Sequence, residues 1–374
     1  MEPTFTGNFL KYSLFVSAVI AALVICEFWL RGILFLDVPF GKSLRNPSLY
    51  ANSHYSDDWW VLRKRFGQHL SSGPKQPHPL LGWTGRFDRT TLRHDDSAKI
   101  GEKQVVLLYG DSFAACAEKP CYEDVLNADP TFSQRCILLN YGVGGYGQDQ
   151  AYLLMTETAP KYSGKEKPVI VLSILNQDID RNLLMYREAR KPRFELSETG
   201  LALKEVPIAE GGNNEAHLPR LTIHSYLYRF FVYGMSLSKP LARLLQGYEE
   251  IKQQRIRLAR ALMKESGAFM RAHSRRHFGL LFSTDWTGGS NTEEDFDWRT
   301  ELLESLFTEE GIPYVSFERD ILATELATSH LSHADYFIPN DGHPNSRTNR
   351  LIAGHLWQQL SDVCGPVSPE FRRR

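Results

Sequence analysis

The chain has 374 residues, of which 42% are hydrophobic and 23% are charged, and its formal net charge at pH 7 is -1. This length suits one large domain or two of medium size, and the apolar fraction is sufficient for a substantial core. The balanced charge gives no indication of the basic surface that is typical of nucleic-acid binding, so we expect no nucleic-acid partner.

The first element in chain order is an apolar stretch at residues 12–36. It is longer than the about 20 residues that a helix needs to cross the hydrocarbon of a bilayer. Glu27 and Arg31 interrupt it, but an acid followed by a base at i,i+4 spacing favours an ion pair on one helix face. We predict a single transmembrane helix here, with a signal peptide and a buried core helix as the alternatives.

The basic residues around this stretch bear on its orientation. Lys11 precedes it, whereas Lys42 and Arg45 follow it and Arg31 lies within its last part. Basic residues are in excess on the cytoplasmic side of a membrane span. The charge count by itself therefore places the larger part of the chain in the cytoplasm.

Composition divides the chain into four parts. An anchor with its flank occupies residues 1–45, and a collar rich in Ser, Asp, Pro and aromatic residues occupies residues 46–100. The main domain is expected at residues 101–364, followed by a basic tail at residues 365–374. Within the main domain, residues 187–235 contain a predicted β-hairpin and interrupt the alternation of strands and helices. We interpret them as an insertion beside the site.

Strand-like and helix-like segments alternate through the main domain, which predicts a parallel sheet covered by helices on both faces. The expected fold class is therefore α/β: a three-layer α/β/α flavodoxin-like sheet with an N-terminal transmembrane helix. The strands are predicted at residues 105–109, 136–140, 169–175, 278–282 and 314–317. The helices are predicted at residues 122–126, 149–158, 248–272, 294–307 and 345–360.

The first predicted strand is an unbroken apolar run that ends at Gly110 and is followed at once by Asp111 and Ser112. A residue at the carboxyl end of a parallel strand lies where open α/β sheets bind their ligands. The turn that follows can direct backbone N–H groups at a developing oxyanion. Ser112 is therefore a candidate nucleophile, with helix N-capping as the alternative interpretation.

Three later segments carry the other groups that a serine nucleophile needs. A glycine-rich loop at residues 140–148 leaves backbone amides accessible, and Asn176 follows the third strand with an amide that can donate to an oxyanion. Near the C-terminus, Asp341 precedes His343 by two residues, so its carboxylate can orient the imidazole that accepts the serine proton. Each segment alone fits an ordinary turn, but their order along the chain indicates one catalytic site.

With these four segments in order, the sequence resembles the SGNH, or GDSL, hydrolase superfamily over about two-thirds of its length. The resemblance implies that Ser112 is the nucleophile, with His343 as general base and Asp341 as the partner of the imidazole. It also implies an oxyanion hole formed by the amides of Ser112 and Gly145 and by the side chain of Asn176.

The sequence departs from the family pattern in two places. The third segment reads Leu-Asn-Gln-Asp where many members have Gly-Asn-Asp, so Gln177 is the alternative oxyanion donor. The Asp-x-His spacing at residues 341–343 and the His-Pro-Leu-Leu-Gly-Trp motif at residues 78–83 resemble membrane-anchored bacterial members, among them alginate acetyltransferase-like proteins. Those members usually face the outside of the cell. On this ground we expect an extracytoplasmic main domain, against the charge count.

The resemblance implies a hydrolase that cleaves acyl esters, foremost short-chain or acetyl esters and including those of carbohydrates, through a Ser-His-Asp acyl-enzyme. It implies no metal and no organic cofactor, and its partners are the acyl ester substrate and the membrane. Two alternatives stay open. An O-acyltransferase acting on a polysaccharide uses the same acyl-enzyme, and a catalytically degenerate SGNH domain binds glycans without turnover.

Five cysteines are scattered along the chain, and their spacing with histidines is not typical of zinc sites. Cys116 and Cys121 flank a short turn, and they can form a disulfide with each other or with Cys136. Neither the number nor the spacing of the cysteines defines the redox compartment.

Overall fold

The structure is a computed structural model that describes residues 5–36, 39–68, 76–164, 166–187, 189–198, 200–208, 218–235, 239–283 and 294–366. The predicted basic tail lies outside the described residues from residue 367 onward. The helices are α1 (Phe5–Phe35), α2 (Asp57–Arg65), α3 (Ser112–Ala115), α4 (Tyr122–Ala128), α5 (Pro130–Arg135), α6 (Gln148–Thr158), α7 (Asp178–Arg181), α8 (Tyr226–Tyr233), α9 (Lys239–Leu245), α10 (Tyr248–His273), α11 (Glu294–Glu309), α12 (Ala323–Thr328) and α13 (Ser346–Cys364). The strands are β1 (Pro77–His78), β2 (Gly82–Trp83), β3 (Gln104–Gly110), β4 (Cys136–Gly142), β5 (Val169–Leu175), β6 (Tyr186–Arg187), β7 (Ala189–Arg190), β8 (Arg193–Ser197), β9 (Gly200–Lys204), β10 (Arg276–Phe282) and β11 (Tyr314–Ser316).

The chain divides into two compact units. The first combines residues 1–73 with residues 215–251, and the second combines residues 74–214 with residues 252–374. The expected collar is thus shared between the two units, and so is the expected insertion. The predicted hairpin of the insertion is present in the second unit as the antiparallel pair of β8 and β9.

The long helix α1 belongs to the first unit. Its segment Lys11–Phe35 has a mean hydropathy of 2.2 and is long and apolar enough to cross a membrane, although a signal sequence near an N-terminus meets the same criteria. The predicted ion pair is present, since Arg31 Nε lies 2.6 Å from Glu27 Oε1. The last turn of α1 enters a small core formed by Leu34, Tyr50, Leu62, Ile223 and Tyr226.

The second unit is built on a five-stranded sheet in the order β11-β10-β5-β3-β4, and every neighbouring pair is parallel. Counted by appearance along the chain, this is the 2-1-3-4-5 order of flavodoxin-like sheets, so the predicted fold class is confirmed. Gly110 of β3 pairs with Gly142 of β4, so these two strands end at the same level.

Helices cover both faces of the sheet. Leu107 and Tyr109 of β3 pack on one face with apolar residues of α6, α10 and α11. Val106 and Leu108 pack on the other face with apolar residues of α4, α5 and α13. Because successive side chains of a strand point to opposite faces, a strand between two cores must be apolar at every position. This explains the unbroken apolar runs in the sequence.

Two disulfides link cysteines of the second unit. Cys116–Cys121 is one of the pairings that the sequence allowed, and it closes the turn before α4. Cys136–Cys364, which the sequence analysis did not consider, joins the first residue of β4 to the last residue of α13. The C-terminal helix is therefore fixed covalently to the sheet. Cys26 is a free, exposed thiol on α1.

Candidate active site

Ser112 is the first residue of α3 and follows β3 at the carboxyl end of the sheet. Its neighbour Asp111 caps this helix, because the Asp111 carboxylate accepts a hydrogen bond from the Phe113 N–H at 2.8 Å. Asp111 therefore fills the N-cap position that was the alternative interpretation of Ser112. A Cβ at Gly110 would lie 2.8 Å from the carbonyl oxygen of Ser173 on β5, so the strand must end in glycine.

His343 lies next to the half-buried Ser112, with its Nε2 2.8 Å from the Ser112 Oγ. The other ring nitrogen, Nδ1, makes a short hydrogen bond with Asp341 Oδ1. An ionised carboxylate at this point holds the imidazole proton on Nδ1, so Nε2 presents a lone pair to the serine hydroxyl. The structure brings these three predicted side chains together although 231 residues separate Ser112 from His343.

The loop that carries His343 makes a tight turn before α13. Asn340 and Gly342 have left-handed φ values of +60° and +84°, a region that glycine and asparagine tolerate better than other residues. The Ile338 N–H donates to the His343 carbonyl at 2.8 Å and closes the turn. The side chains of His343 and Asp341 remain 26% and 48% exposed, so a substrate can reach them.

The glycine-rich loop after β4 passes beside Ser112. A Cβ at Gly142 would lie 2.4 Å from the backbone nitrogen of Ala115, so only glycine lets α3 pack against the end of β4. A Cβ at Gly144 would lie 3.9 Å from the Ser112 Cβ. Gly145 follows with a φ of +84° and is buried. The loop is therefore within reach of a carbonyl group bound at the serine.

The His-Pro-Leu-Leu-Gly-Trp motif packs against this loop. The Trp83 Nε1 donates to the Gly144 carbonyl at 3.2 Å, and the indole lies 5.4 Å from the Tyr146 ring. Gln150, in the helix that follows the loop, donates to the Leu81 carbonyl at 2.8 Å. These contacts give a motif remote in sequence a structural role next to the candidate nucleophile.

The two candidate side chains of the third segment have different surroundings. Asn176 is fully buried, its backbone N–H donates to the Phe282 carbonyl at 2.9 Å, and its Nδ2 lies 3.3 Å from the Thr300 Oγ1 and 3.4 Å from the Ser283 Oγ. Gln177 is only half-buried. The amide of Asn176 thus contacts hydroxyl groups that follow β10 and lie on α11.

Sequence analysis missed Arg181, the last residue of α7. This arginine is only 7% exposed. Its Nη1 donates to Asp111 Oδ2 at 2.8 Å, to Asp178 Oδ1 at 2.5 Å and to the Tyr146 carbonyl at 3.0 Å. One guanidinium therefore joins the segments that follow β3, β4 and β5. The only sequence signal was the i,i+3 spacing of Asp178 and Arg181 on a short helix.

The charges in this bridge are largely excluded from water. Burial, together with the neighbouring Asp111 carboxylate, raises the pKa of Asp178 well above its ordinary value. Burial acts to lower the pKa of Arg181, but the carboxylates of Asp178 and Asp111 outweigh it and the pKa is raised. Arg181 therefore stays charged, and its charge compensates two buried acids.

Three further buried ion pairs adjoin this bridge. Lys191 pairs with Asp149 and also donates to the last carbonyl of α7 at 3.0 Å. Asp180 of α7 pairs with Arg255 and, at 2.9 Å, with Arg299. Burial raises the pKa of Asp149. The buried residues beneath the candidate site, around α7, are thus paired charges and not apolar side chains.

Among the described residues, one group could place ligand atoms around a metal ion: Cys116, Cys121 and Glu123. The two sulfurs are joined in a disulfide and are not free to bind a metal. The Glu123 carboxylate instead accepts hydrogen bonds from Asn140 at 2.8 Å and from Arg86 at 2.6 Å. This group therefore has a structural interpretation.

Fold and site together define a flavodoxin-like α/β/α protein with a serine, a histidine and an aspartate joined by hydrogen bonds at the carboxyl edge of its sheet.

No protein-family model and no curated protein sequence matches the chain. The solved structures to which it is similar include the following three, each of which covers about 70% of it. LAE5, an α/β-hydrolase enzyme from the metagenome of Lake Arreo, has 13% sequence identity and a TM-score of 0.38, and the match covers 71% of this chain and 97% of that chain. A member of the lipolytic protein G-D-S-L family from Veillonella parvula has 12% identity and a TM-score of 0.35, with coverages of 69% and 97%. Axe2, an acetylxylan esterase from Geobacillus stearothermophilus, has 12% identity and a TM-score of 0.37, with coverages of 70% and 96%.

Proposed function

We propose that this chain is a membrane-anchored serine esterase that hydrolyses acyl esters through an acyl-enzyme. The observation that carries the proposal is the Nε2 of His343 at 2.8 Å from the Ser112 Oγ, with Nδ1 of the same ring hydrogen-bonded to Asp341. A serine activated in this way needs a neighbouring base and a group that orients the base, and all three are present.

In the proposed reaction, the Ser112 Oγ attacks the ester carbonyl carbon while His343 Nε2 takes the serine proton. The imidazolium, stabilised by Asp341, then protonates the leaving alcohol as the tetrahedral intermediate collapses to an acyl-enzyme. Water, activated by the same Nε2, attacks the acyl-enzyme and releases the acid. The side chains of His343 and Asp341 are both partly exposed, so the leaving alcohol can reach the imidazole.

We assign the oxyanion hole to the backbone amides of Ser112 and Gly145 and to one side chain of the third segment. The passage of the glycine-rich loop next to Ser112 supports the two amides. For the side chain we propose Gln177 rather than Asn176, because Asn176 is fully buried among hydroxyl groups whereas Gln177 has accessible surface. An oxyanion donor must face the cavity in which the substrate carbonyl is bound.

The substrate class we propose is a short-chain acyl ester, with an acylated carbohydrate to be tested first. The support is the resemblance of residues 341–343 and 78–83 to membrane-anchored, acetyltransferase-like bacterial proteins. Transfer of the acyl group to a sugar hydroxyl instead of water is the second candidate function, because both acceptors attack the same intermediate. A glycan-binding domain without turnover is the third.

We propose that α1 anchors the protein through residues 12–36 and that the second unit lies outside the cytoplasm. The two disulfides support this side of the membrane, because such bonds persist in oxidising compartments and are rare in the cytosol. Protease access in intact cells, with disulfide state read in parallel, tests this assignment. Digestion of the second unit only after cell lysis would contradict it.

The deciding experiment is stopped-flow release of nitrophenol from nitrophenyl acetate by the purified full chain. An acyl-enzyme that forms faster than it is hydrolysed gives a burst whose amplitude approaches the enzyme concentration. Ser112→Ala should abolish the burst and keep the fold, whereas Ser305→Ala, an exposed serine of α11, should keep both. A folded Ser112→Ala variant with undiminished activity would refute the proposal. Candidate sugars that accelerate the steady state indicate a transferase, and glycan binding without any burst indicates a binding domain.

A further inference from the structure

Two consecutive helices of the first unit, α8 and α9, expose large apolar side chains along one face each. The spacing is i, i+3 on α8 and i, i+3, i+4 on α9, so each set lies on a single side of its helix, and Met235 follows the C-cap Gly234 of α8. We call these six residues the apolar patch: Tyr228, Phe231, Met235, Leu241, Leu244 and Leu245. Leu244 is 76% exposed, more than any other large hydrophobic side chain of the described residues.

The two parts of the apolar patch come close to each other. The Tyr228 hydroxyl donates to the Leu245 carbonyl at 3.4 Å, which brings the exposed faces of the two helices together. The other side of α8 is already occupied, because Tyr226 belongs to the small core of the unit and Phe230, four residues later, packs against that core. A helix that is apolar on both sides is stable only where something covers its outer side.

The contacts between α8 and α1 indicate what covers the apolar patch. The Glu27 carboxylate accepts hydrogen bonds from the Tyr226 and Leu227 N–H groups at 3.0 and 2.8 Å, and Arg31 donates to the His224 carbonyl at 2.7 Å. The start of α8 is therefore fixed to α1 at the level of residues 27–31. This level is determined by contacts within the first unit alone.

That level coincides with a bilayer surface. The 25 residues of Lys11–Phe35 form about 37 Å of helix at about 1.5 Å per residue, whereas the hydrocarbon of a bilayer is about 30 Å thick. With Lys11 at one boundary, the other boundary falls near Arg31. The first turn of α8 then lies where hydrocarbon meets headgroups, a zone that favours tyrosine and arginine side chains.

We propose that the apolar patch is a lipid-binding surface that inserts into the leaflet at which α1 emerges. The charge of the segment fits this partner, because residues 226–245 contain Arg229, Lys239 and Arg243 and no acidic residue. Basic side chains beside an apolar helix face attract anionic headgroups. The inference rests on the proposed membrane anchor, and it adds a second contact that holds the first unit flat on the membrane.

The test is spin-label accessibility on the full chain in lipid nanodiscs of phosphatidylcholine and phosphatidylglycerol. A Cys26→Ala background removes the free thiol, and the remaining described cysteines are paired in disulfides. Single labels are placed in the patch by Phe231→Cys and Leu244→Cys. Ile20→Cys reports on the span, and Glu249→Cys, at the exposed start of α10, is the aqueous control.

We expect oxygen to relax the labels at positions 20, 231 and 244 more strongly than the water-soluble nickel reagent does. At position 249 we expect the nickel reagent to relax the label more strongly than oxygen does. Lipid-like behaviour at position 20 together with water-like behaviour at positions 231 and 244 overturns the lipid-binding inference and keeps the anchor. Labels at 231 and 244 that neither reagent reaches indicate a protein partner or a second copy and also overturn it. Water-like behaviour at position 20 overturns the anchor itself.

Discussion

Arg181→Met removes the guanidinium that joins Asp111, Asp178 and the Tyr146 carbonyl, with little change in side-chain volume. Removing one partner of a buried ion pair costs about 3–5 kcal/mol, because the remaining charge is left unpaired in a medium of low dielectric constant. Both carboxylates in this case are at most 2% exposed. We therefore expect the free energy of unfolding, measured with urea, to fall by about 3–5 kcal/mol.

The same change should lower activity in the molecules that stay folded. Asp111 caps the helix that begins with Ser112, and the Tyr146 carbonyl follows Gly145 directly, so the bridge holds both the nucleophile and the glycine-rich loop. A displacement of about 1 Å in such a site costs about 10²-fold in rate. We expect kcat for nitrophenyl acetate to fall by about that factor, with a smaller change in KM.

The loss of stability should depend on pH in a defined direction. The pKa of Asp178 in the folded protein is already raised by burial and by Asp111, so this acid binds a proton more tightly in the folded than in the unfolded chain. A group of this kind favours the folded state at low pH and loses that contribution as the pH rises through its folded pKa. Without Arg181 the pKa of Asp178 in the folded protein rises further. The difference in free energy of unfolding between the wild type and Arg181→Met should therefore widen with rising pH.

Two matched variants separate the bridge from a general loss of charge. Arg260→Met removes an exposed arginine that pairs with Glu309, and we expect a cost of at most about 1 kcal/mol. Arg181→Lys keeps the charge but not the forked donor, and we expect intermediate stability and activity. If Arg181→Met has the urea midpoint and the kcat of the wild type, the bridge neither stabilises the fold nor positions the site.

Three further predictions concern the surroundings of the bridge. Gln177→Ala should lower the turnover of nitrophenyl acetate by about 10²–10³-fold, the effect of losing one oxyanion donor, and Asn176→Ala should lower it far less. The reverse ranking would assign the oxyanion role to Asn176. Gly142→Ala should cost about 1–3 kcal/mol in thermal unfolding, because its methyl group meets a backbone nitrogen at 2.4 Å, and an unchanged melting temperature contradicts this. His94 is buried, with its Nε2 3.1 Å from the carbonyl oxygen of Asn140 on β4, and burial lowers its pKa below the ordinary 6.5. The unfolded chain therefore takes up a proton that the folded chain does not bind, and stability should fall as the pH drops below 6.5. The urea midpoint of His94→Gln should fall less over this range, and an equal fall assigns the effect to other groups.

Much of the second unit was predictable because its pattern is strong. The strands β3, β4, β5 and β10 lie within two residues of the predicted bounds, since runs buried on both faces leave an unambiguous apolar signal. The short helix α5 and the helix α8 were not predicted. α5 has only six residues, and α8 lies within residues 187–235, which were interpreted as an insertion.

The candidate site was predictable in part. Ser112, Asp341 and His343 follow from the order of the four segments, because each stands in a turn whose residue types are restricted. The choice between Asn176 and Gln177 did not follow, since both lie in the turn after β5 and a shift of one residue in the alignment with the family pattern exchanges them. The role of Arg181 was not predicted, because the sequence does not distinguish a buried arginine from one exposed to solvent.

A growing chain carries Ser112 long before it carries His343. At about 5–20 residues per second, synthesis of the 231 residues between them takes roughly 12–46 s. Cys364 must follow before its bond with Cys136 can fasten α13, the helix that comes directly after the histidine loop. The proposed Ser112–His343 pair therefore cannot form until those 231 residues have been made, and the disulfide that fixes α13 can form only after Cys364 has been added.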